Sequence, residues 1–313
     1  MTSRGVLIHA HNNEQIDYAL IALCNALAIK SHLHVPVCLI TDVGSEKWLR
    51  ECRGDVVDRA FDQIIITAAP SKSGTKKFND TATSYTLPWH NMSRSDSYEL
   101  SPFDETLLID ADYLILDNTL NLVWGSTHDV MVNRQIIPLD HGKVPSNEKW
   151  LEHTGIEMVW ATCVFFRKSL LAERLFDMVR HIRLNYEFYS MVYGFPIQLY
   201  RNDYAFSIAV HMMSGFTKCD DIATLPSPFL LTSFDCLLHP AFDGLGFPSS
   251  LDDRGVIFVD GNSFGLAQVF EGDRLQLYPH LLGDHLPARQ SSDVLQHGFP
   301  SVPKPWRLNG RAL

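Results

Sequence analysis

The sequence is short of positive charge, of paired cysteines and of long apolar runs, and each shortage removes a class of protein. Its 313 residues carry 26 Lys and Arg against 36 Asp and Glu, a net charge of −10 with the 14 His neutral. A surface built for the phosphate backbone needs clustered Lys and Arg, so this balance argues against nucleic-acid binding as the main task. The six cysteines (Cys24, Cys38, Cys52, Cys163, Cys219 and Cys236) form no C-x-x-C pair. Three lie in apolar runs where a thiol packs as a small hydrophobe, so all are read as reduced and structural. No stretch approaches the roughly 18–20 apolar residues of a membrane span, and the apolar start before His11 is too short for a signal peptide. The reading is a soluble cytoplasmic protein, in the host cytoplasm if the source is viral. With 46% hydrophobic and 20% charged residues the body of the chain is globular, which excludes disorder, collagen and coiled coil. The length suits one large domain or two intimate halves.

Residues 5–10 form a short apolar run that stops at His11, Asn12 and Asn13, the pattern of a buried strand delivering a polar loop. From Asp17 to about Ser31, apolar residues recur at three- and four-residue spacing, which predicts a helix with Asp17 as N-cap. Residues 36–42 read as a second buried strand ending in Asp42. Strand, helix and strand in this order predict a βαβ unit and a parallel sheet. A third apolar run covers 63–67. Residues 67–98 then hold eleven Ser or Thr with little periodicity and read as a long loop of functional use. Residues 105–116 give two apolar strands interrupted by Asp110-Ala111-Asp112. Strands are expected at 129–133, 157–166 and 256–260, and helices over 169–185 and from about Asn202. From Pro287 onward Pro, Ser and Gln dominate, giving a tail.

The Asp110-x-Asp112 interruption carries the most chemistry. It places two carboxylates where a buried strand ends, the usual ligand edge of an open α/β sheet. Two like charges there call for a counter-ion, and a hard divalent metal such as Mn²⁺ or Mg²⁺ supplies it while also taking diphosphate oxygens. The bland alternative is one turn-capping Asp and one solvated Asp, as for many short motifs.

Leu107-Leu-Ile-Asp-Ala-Asp-Tyr-Leu-Ile-Leu116, preceded by Ser101-Pro-Phe-Asp-Glu-Thr106, resembles the D-x-D segment of GT-A nucleotide-sugar glycosyltransferases. Within them it resembles particularly the retaining group that includes glycogenin and the lipopolysaccharide galactosyltransferases, and more loosely the glycosyltransferase-like proteins of bacteriophages. The resemblance covers roughly residues 5–210. It implies an α/β GT-A fold: a mostly parallel Rossmann-like central sheet flanked by helices, in a single large domain with an irregular C-terminal part. Residues 1–125 would be the nucleotide-sugar-binding half, 126–285 the acceptor-side half and 286–313 the tail. The activity implied is metal-dependent transfer of a hexose from a UDP-sugar to an acceptor hydroxyl, with retention. The acceptor would be a glycan, a protein or a modified DNA base. Ala10, His11 and Asn12 would meet the nucleoside, with Asp42 shaping that pocket. Arg94 would balance the phosphate charge. Asp110 would face ribose and metal, Asp112 would ligate the metal more directly, and Ala111 lies between them. Trp160-Ala-Thr-Cys163, with Thr162 among the donor contacts, resembles the strand lining the sugar, and Asn202-Asp203 the acidic helix start near the transferred sugar. Asp203 and Arg94 are the catalytic candidates.

The sequence departs from the pattern in two places. The family's usual Asn-x-Gly at the sugar-lining strand, here Trp160-Ala-Thr-Cys163, is absent. Its late His, a third metal ligand followed by Lys-Pro-Trp, is missing although Lys304-Pro-Trp306 is present; His239, His280 or Asp260 would have to substitute. Other readings compete. His9-x-His11 at a strand end suits a metal-dependent amidohydrolase built on a (β/α)₈ barrel, with further ligands from His153, His181, His211 or Asp260. The D-x-D also occurs in haloacid-dehalogenase-like phosphatases, where Asp-Gly-Thr follows rather than Tyr113-Leu-Ile. A non-catalytic sugar-nucleotide-binding protein on the same fold is the third.

Overall fold

The computed structural model describes residues 3–12, 18–68, 74–79, 84–89, 91–111, 113, 115, 118–134, 136–138, 150–151, 154–195, 200–217, 221–226, 229–231, 258–260 and 263–265. Strand β1 (Arg4–His9) leads to helix α1 (Tyr18–Leu33), β2 (Val37–Thr41), α2 (Val43–Ala60) and β3 (Gln63–Ile66). The hairpin strands β4 (Gly74–Asn79) and β5 (Ser84–Trp89) follow, then a 3-10 turn (Asn91–Asp96) running into α3 (Ser97–Leu100). Strand β6 (Glu105–Asp110), a second 3-10 turn (Thr119–Gly125), β7 (Val130–Asn133), β8 (Ile136–Pro138) and β9 (Trp160–Arg167) complete the middle. Helices α4 (Leu170–Leu184), α5 (Tyr186–Tyr193) and α6 (Asn202–Met213) precede β10 (Ile222–Thr224), β11 (Phe229–Leu231), β12 (Phe258–Asp260) and β13 (Ser263–Gly265).

Seven strands form one open sheet in the order β10-β7-β9-β6-β1-β2-β3. β9 runs antiparallel to both β6 and β7, and all other pairings are parallel. This is the mostly parallel, helix-flanked α/β sheet expected from the sequence. Its inner strands read as unbroken Val, Ile and Leu because both faces are covered. Val6 to Ile8, Val37 to Ile40 and Leu107 to Ile109 are all fully buried. Helices α1 and α2 pack together on one face. On the other, the 3-10 turn, α3, α4 and α6 pack together, joined by a ring chain Tyr98–Phe166–Phe176–Phe206. Gly5 is required in β1: a Cβ there would run into the Phe103 ring.

The differences from the sequence reading have local causes. The run expected as a strand beyond the D-x-D does not continue β6, because the Tyr113 N–H donates to the Asp110 carbonyl at 3.0 Å and turns the chain. Helix α2 was not expected; Asp42 starts it by accepting from the Ser45 N–H at 2.9 Å. The stretch read as a loop over 67–98 contains the β4–β5 hairpin and the 3-10 turn. The helices expected over 169–185 and from Asn202 are α4, capped by Ser169, and α6. α5, unforeseen, ends at Gly194 in the left-handed region (φ 70). Asp17 and the tail from 286 lie outside the described residues, while Cys38 and Cys163 are buried free thiols. Among the described residues no helix is long and apolar enough to cross a membrane.

Candidate functional site

Parallel strands deliver their carboxyl ends to one edge of the sheet, and crossovers leave that edge open to a ligand. Here it gathers Ala10, His11 and Asn12 after β1, Asp42 after β2, and Asp110 and Ala111 at the end of β6. The antiparallel β9 brings its start, not its end, to the same edge. Its register, Ile109 opposite Cys163, therefore sets Thr162 beside Asp110. His9 and Asp110 are register partners across β1 and β6, so their side chains share a face.

On that face Arg94, from the 3-10 turn, forms an ion pair with Asp110. The guanidinium is 1% exposed and the carboxylate 19%, so the pair runs from the interior to the edge. A buried charge is tolerated when paired and hydrogen-bonded, and the local frame holds Arg94 in position. The Ser97 hydroxyl donates to the Arg94 carbonyl at 2.7 Å. Since that proton is committed, the 2.9 Å contact between His9 Nε2 and Ser97 Oγ must be an Nε2–H donating to the hydroxyl oxygen. Nδ1 is then free to accept from Ser93 Oγ at 3.4 Å. His9 is accordingly neutral: burial, then the charges of Arg94 and His11, hold its pKa well below 6.5. Burial pushes the Cys163 thiol up to about 12, against the opposing influence of Arg94.

Asp42 and Asn12 are tied into one chain of contacts. Ser45 Oγ donates to Asp42 at 2.7 Å and accepts from the Asn12 N–H at 2.9 Å. Asn12 Oδ1 accepts from the Ala19 N–H at 2.9 Å, so Asn12 serves the first turn of α1. Burial works against ionisation of Asp42, but the Ser45 N–H and hydroxyl, His11 and the Gly44 N–H together hold its pKa below the usual value. His11 is buried, with Nε2 at 3.5 Å from Thr67 Oγ1. Thr162 is buried and its hydroxyl has no hydrogen-bond partner among the described residues. Trp160 is core. Asp203, at the start of α6, accepts from the Ala161 N–H at 2.8 Å and lies 3.3 Å from Arg201 Nη2. It thus pins α6 to the strand beside Asp110.

The structure therefore gathers Ala10, His11, Asn12, Asp42, Arg94, Asp110, Ala111, Thr162 and the Asp203 anchor around one edge. Asp112 and His239 lie outside the described residues, and Asp260 is placed only as the end of β12. No three His, Cys, Asp or Glu side chains come together as a metal site among the described residues, and Asp110 is engaged by Arg94. The described donor set does not by itself fit a divalent ion.

The barrel hydrolase is excluded by the open sheet with its antiparallel strand. His9, its first expected ligand, has both ring nitrogens turned to serines. The sequence reading did not single out Ser93 and Ser97, which contact the two ring nitrogens of His9, or Asn25, which reaches the turn after β6. The Ser93-Arg-Ser-Asp-Ser97 run was the available signal, since serines flanking a lone Arg mark a turn that can hydrogen-bond itself.

Fold and edge together define an open α/β protein with a buried polar ligand edge. In structure the chain is similar to the galactosyltransferase LgtC solved with donor and acceptor sugar analogs, at 12% identity and TM-score 0.46, over 97% of this chain and 99% of that one. It is also similar to the apo form of the glycosyltransferase GlyE of Streptococcus pneumoniae TIGR4 (13%, TM-score 0.39), covering 72% of this chain and 45% of GlyE. A third likeness is to the bifunctional glycosyltransferase WbbM (11%, TM-score 0.37), over 58% of this chain and 34% of that one. The chain thus spans less than half of GlyE. No protein-family model and no curated protein sequence matches it.

Proposed function

We propose that this chain is a nucleotide-sugar glycosyltransferase that moves a hexose from a UDP-sugar to an acceptor hydroxyl, with retention. The observation that carries the reading is the Arg94–Asp110 pair, built from the interior out to the carboxyl edge of β6 within the D-x-D resemblance. Asp110, its charge balanced by Arg94, accepts from the donor's ribose hydroxyls, while Ala10, His11, Asn12 and Asp42 border the nucleoside. In transfer the bond from the anomeric carbon to the phosphate oxygen breaks, and the nucleoside diphosphate leaves with the electron pair. The acceptor oxygen bonds to that carbon from the face the diphosphate leaves, and its proton passes to the departing phosphate oxygen. Negative charge grows on the leaving diphosphate, and positive groups fixed in advance lower that barrier; Arg94 is the fixed cation beside the edge. Asp203 holds α6 and β9 around the sugar side. The divalent ion implied by the sequence resemblance, Mn²⁺ or Mg²⁺, carries no step here.

The test is thermal stabilisation of the full chain by UDP, GDP, CMP and UDP-sugars, with and without Mn²⁺, alongside Asp110→Ala and Asp112→Ala. A ligand that binds only the folded state raises its midpoint. A rise with UDP and UDP-sugars that is lost in Asp110→Ala is expected. No rise with any nucleotide would remove the reading, and comparing the two Mn²⁺ conditions decides metal dependence.

A further inference from the structure

Helix α1 is buried along most of its length, and Asn25 is its one buried polar side chain among the described residues, at 1% exposure. Every neighbouring buried position, Leu20 to Leu23 and Ala26 to Ile29, is apolar wherever its side chain is described. The Asn25 Nδ2 group reaches the carbonyls of Tyr113 at 2.9 Å, Ala111 at 3.3 Å and Asp110 at 3.4 Å. Three acceptors around one nitrogen fix the orientation of the amide, because a flipped Asn25 would set its oxygen against three carbonyl oxygens. The amide oxygen, by contrast, has no hydrogen-bond partner among the described residues. A side chain kept only to fill space in an apolar helix would not hold a polar group half satisfied. The carbonyls it holds belong to the turn that the Tyr113 N–H closes onto Asp110.

We infer that Asn25 is a positioning residue of the donor site. From the α1 side of the sheet it fixes the peptide planes of the turn that follows β6, while Arg94 fixes the Asp110 carboxylate from the opposite face. The direction in which that carboxylate meets a ribose hydroxyl is set by both. This rests on the nucleotide-sugar reading above.

The experiment is calorimetric titration of the full-length protein with UDP and with UDP-glucose. Wild type, Asn25→Leu, Asn25→Asp and Leu23→Ala are compared at a temperature where circular dichroism shows each one folded. Leu23 is fully buried in the same helix and reports loss of packing alone. Asn25→Leu should bind about ten- to a hundredfold more weakly, the usual cost of losing a group that orients a ligand contact. Asn25→Asp, whose carboxylate repels the three carbonyls, should bind more weakly still, while Leu23→Ala melts earlier and binds as wild type. Hydrogen exchange at the Tyr113 amide should quicken in Asn25→Leu and not in Leu23→Ala. If Asn25→Leu does not fold, Asn25→Ser, whose hydroxyl cannot span the three carbonyls, takes its place with the same expectation. Wild-type affinity in the Asn25 variants, or equal weakening in Leu23→Ala, overturns the inference. A wild-type protein that binds neither UDP nor UDP-glucose instead overturns the reading on which it rests.

Discussion

The two faces of the central sheet bury different chemistry. Helix α1, on one face, buries only apolar side chains apart from Asn25 among the described residues, and α2 adds Ser45 and Arg53. Toward the 3-10 turn, α4 and α6 the same strands meet His9, Arg94, Ser97, Asp203 and Ser207, all buried. Apolar burial is non-directional and stabilises in proportion to area. Buried polar groups must find specific partners or cost stability. The first face therefore holds the fold together, and the second places groups at the edge.

The contrast can be broken from either side. Ile21→Ala, at a fully buried α1 position, should cost about 3–4 kcal/mol in urea unfolding, with nucleotide affinity per folded molecule unchanged. Asp110→Ala withdraws a counter-charge from a guanidinium that is 1% exposed and should cost about 3 kcal/mol; unlike Ile21→Ala, it should also abolish UDP binding. Equal effects of the two on affinity would erase the distinction between the faces.

His9 sharpens it. His9→Leu loses the Ser97 and Ser93 contacts and should cost about 2 kcal/mol at pH 7.5. Because the folded pKa lies below 6.5, the unfolded chain takes up a proton first as pH falls. The stability His9 contributes is present in full above pH 6.5 and is lost below it, at about 1.4 kcal/mol per pH unit until the folded pKa is reached. The gap between wild type and His9→Leu should therefore narrow between pH 6.5 and 5.5 in paired unfolding curves. Ser45→Ala, which removes the hydroxyl shared by Asp42 and Asn12, should cost about 1 kcal/mol. At the small end, Lys47→Ala breaks only an exposed i,i+4 pair with Glu51 and should move stability by less than about 0.5 kcal/mol.

How much was legible in the sequence follows the same division. Strands β1, β2 and β6 and helix α1 announce themselves by aliphatic runs and periodicity, which local pattern records. The edge was found through Asp110 because a carboxylate that interrupts an apolar run stands out. Arg94 was named, but its burial and its pairing with Asp110 depend on a turn sixteen residues upstream docking on the sheet, which no local pattern encodes. His9 entered only the competing hydrolase reading as a metal ligand, because a strand-end imidazole reads alike in both roles until Ser93 and Ser97 are brought to it. Helix α2 was missed although Asp42 and Ser45 formed its cap, since its apolar positions Leu49, Val56 and Val57 are spread thinly among charges. The antiparallel direction of β9, which turns Thr162 toward Asp110, is a matter of topology alone.

The central claim is that the carboxyl edge around Arg94 and Asp110 is a nucleotide-sugar site. Hydrogen exchange with and without saturating UDP-sugar tests it most directly. If it is such a site, exchange slows at residues 10–12, 93–97 and 108–113, with helix α2 beyond its first turn unaffected. Protection confined to other regions, or none at all, would contradict it.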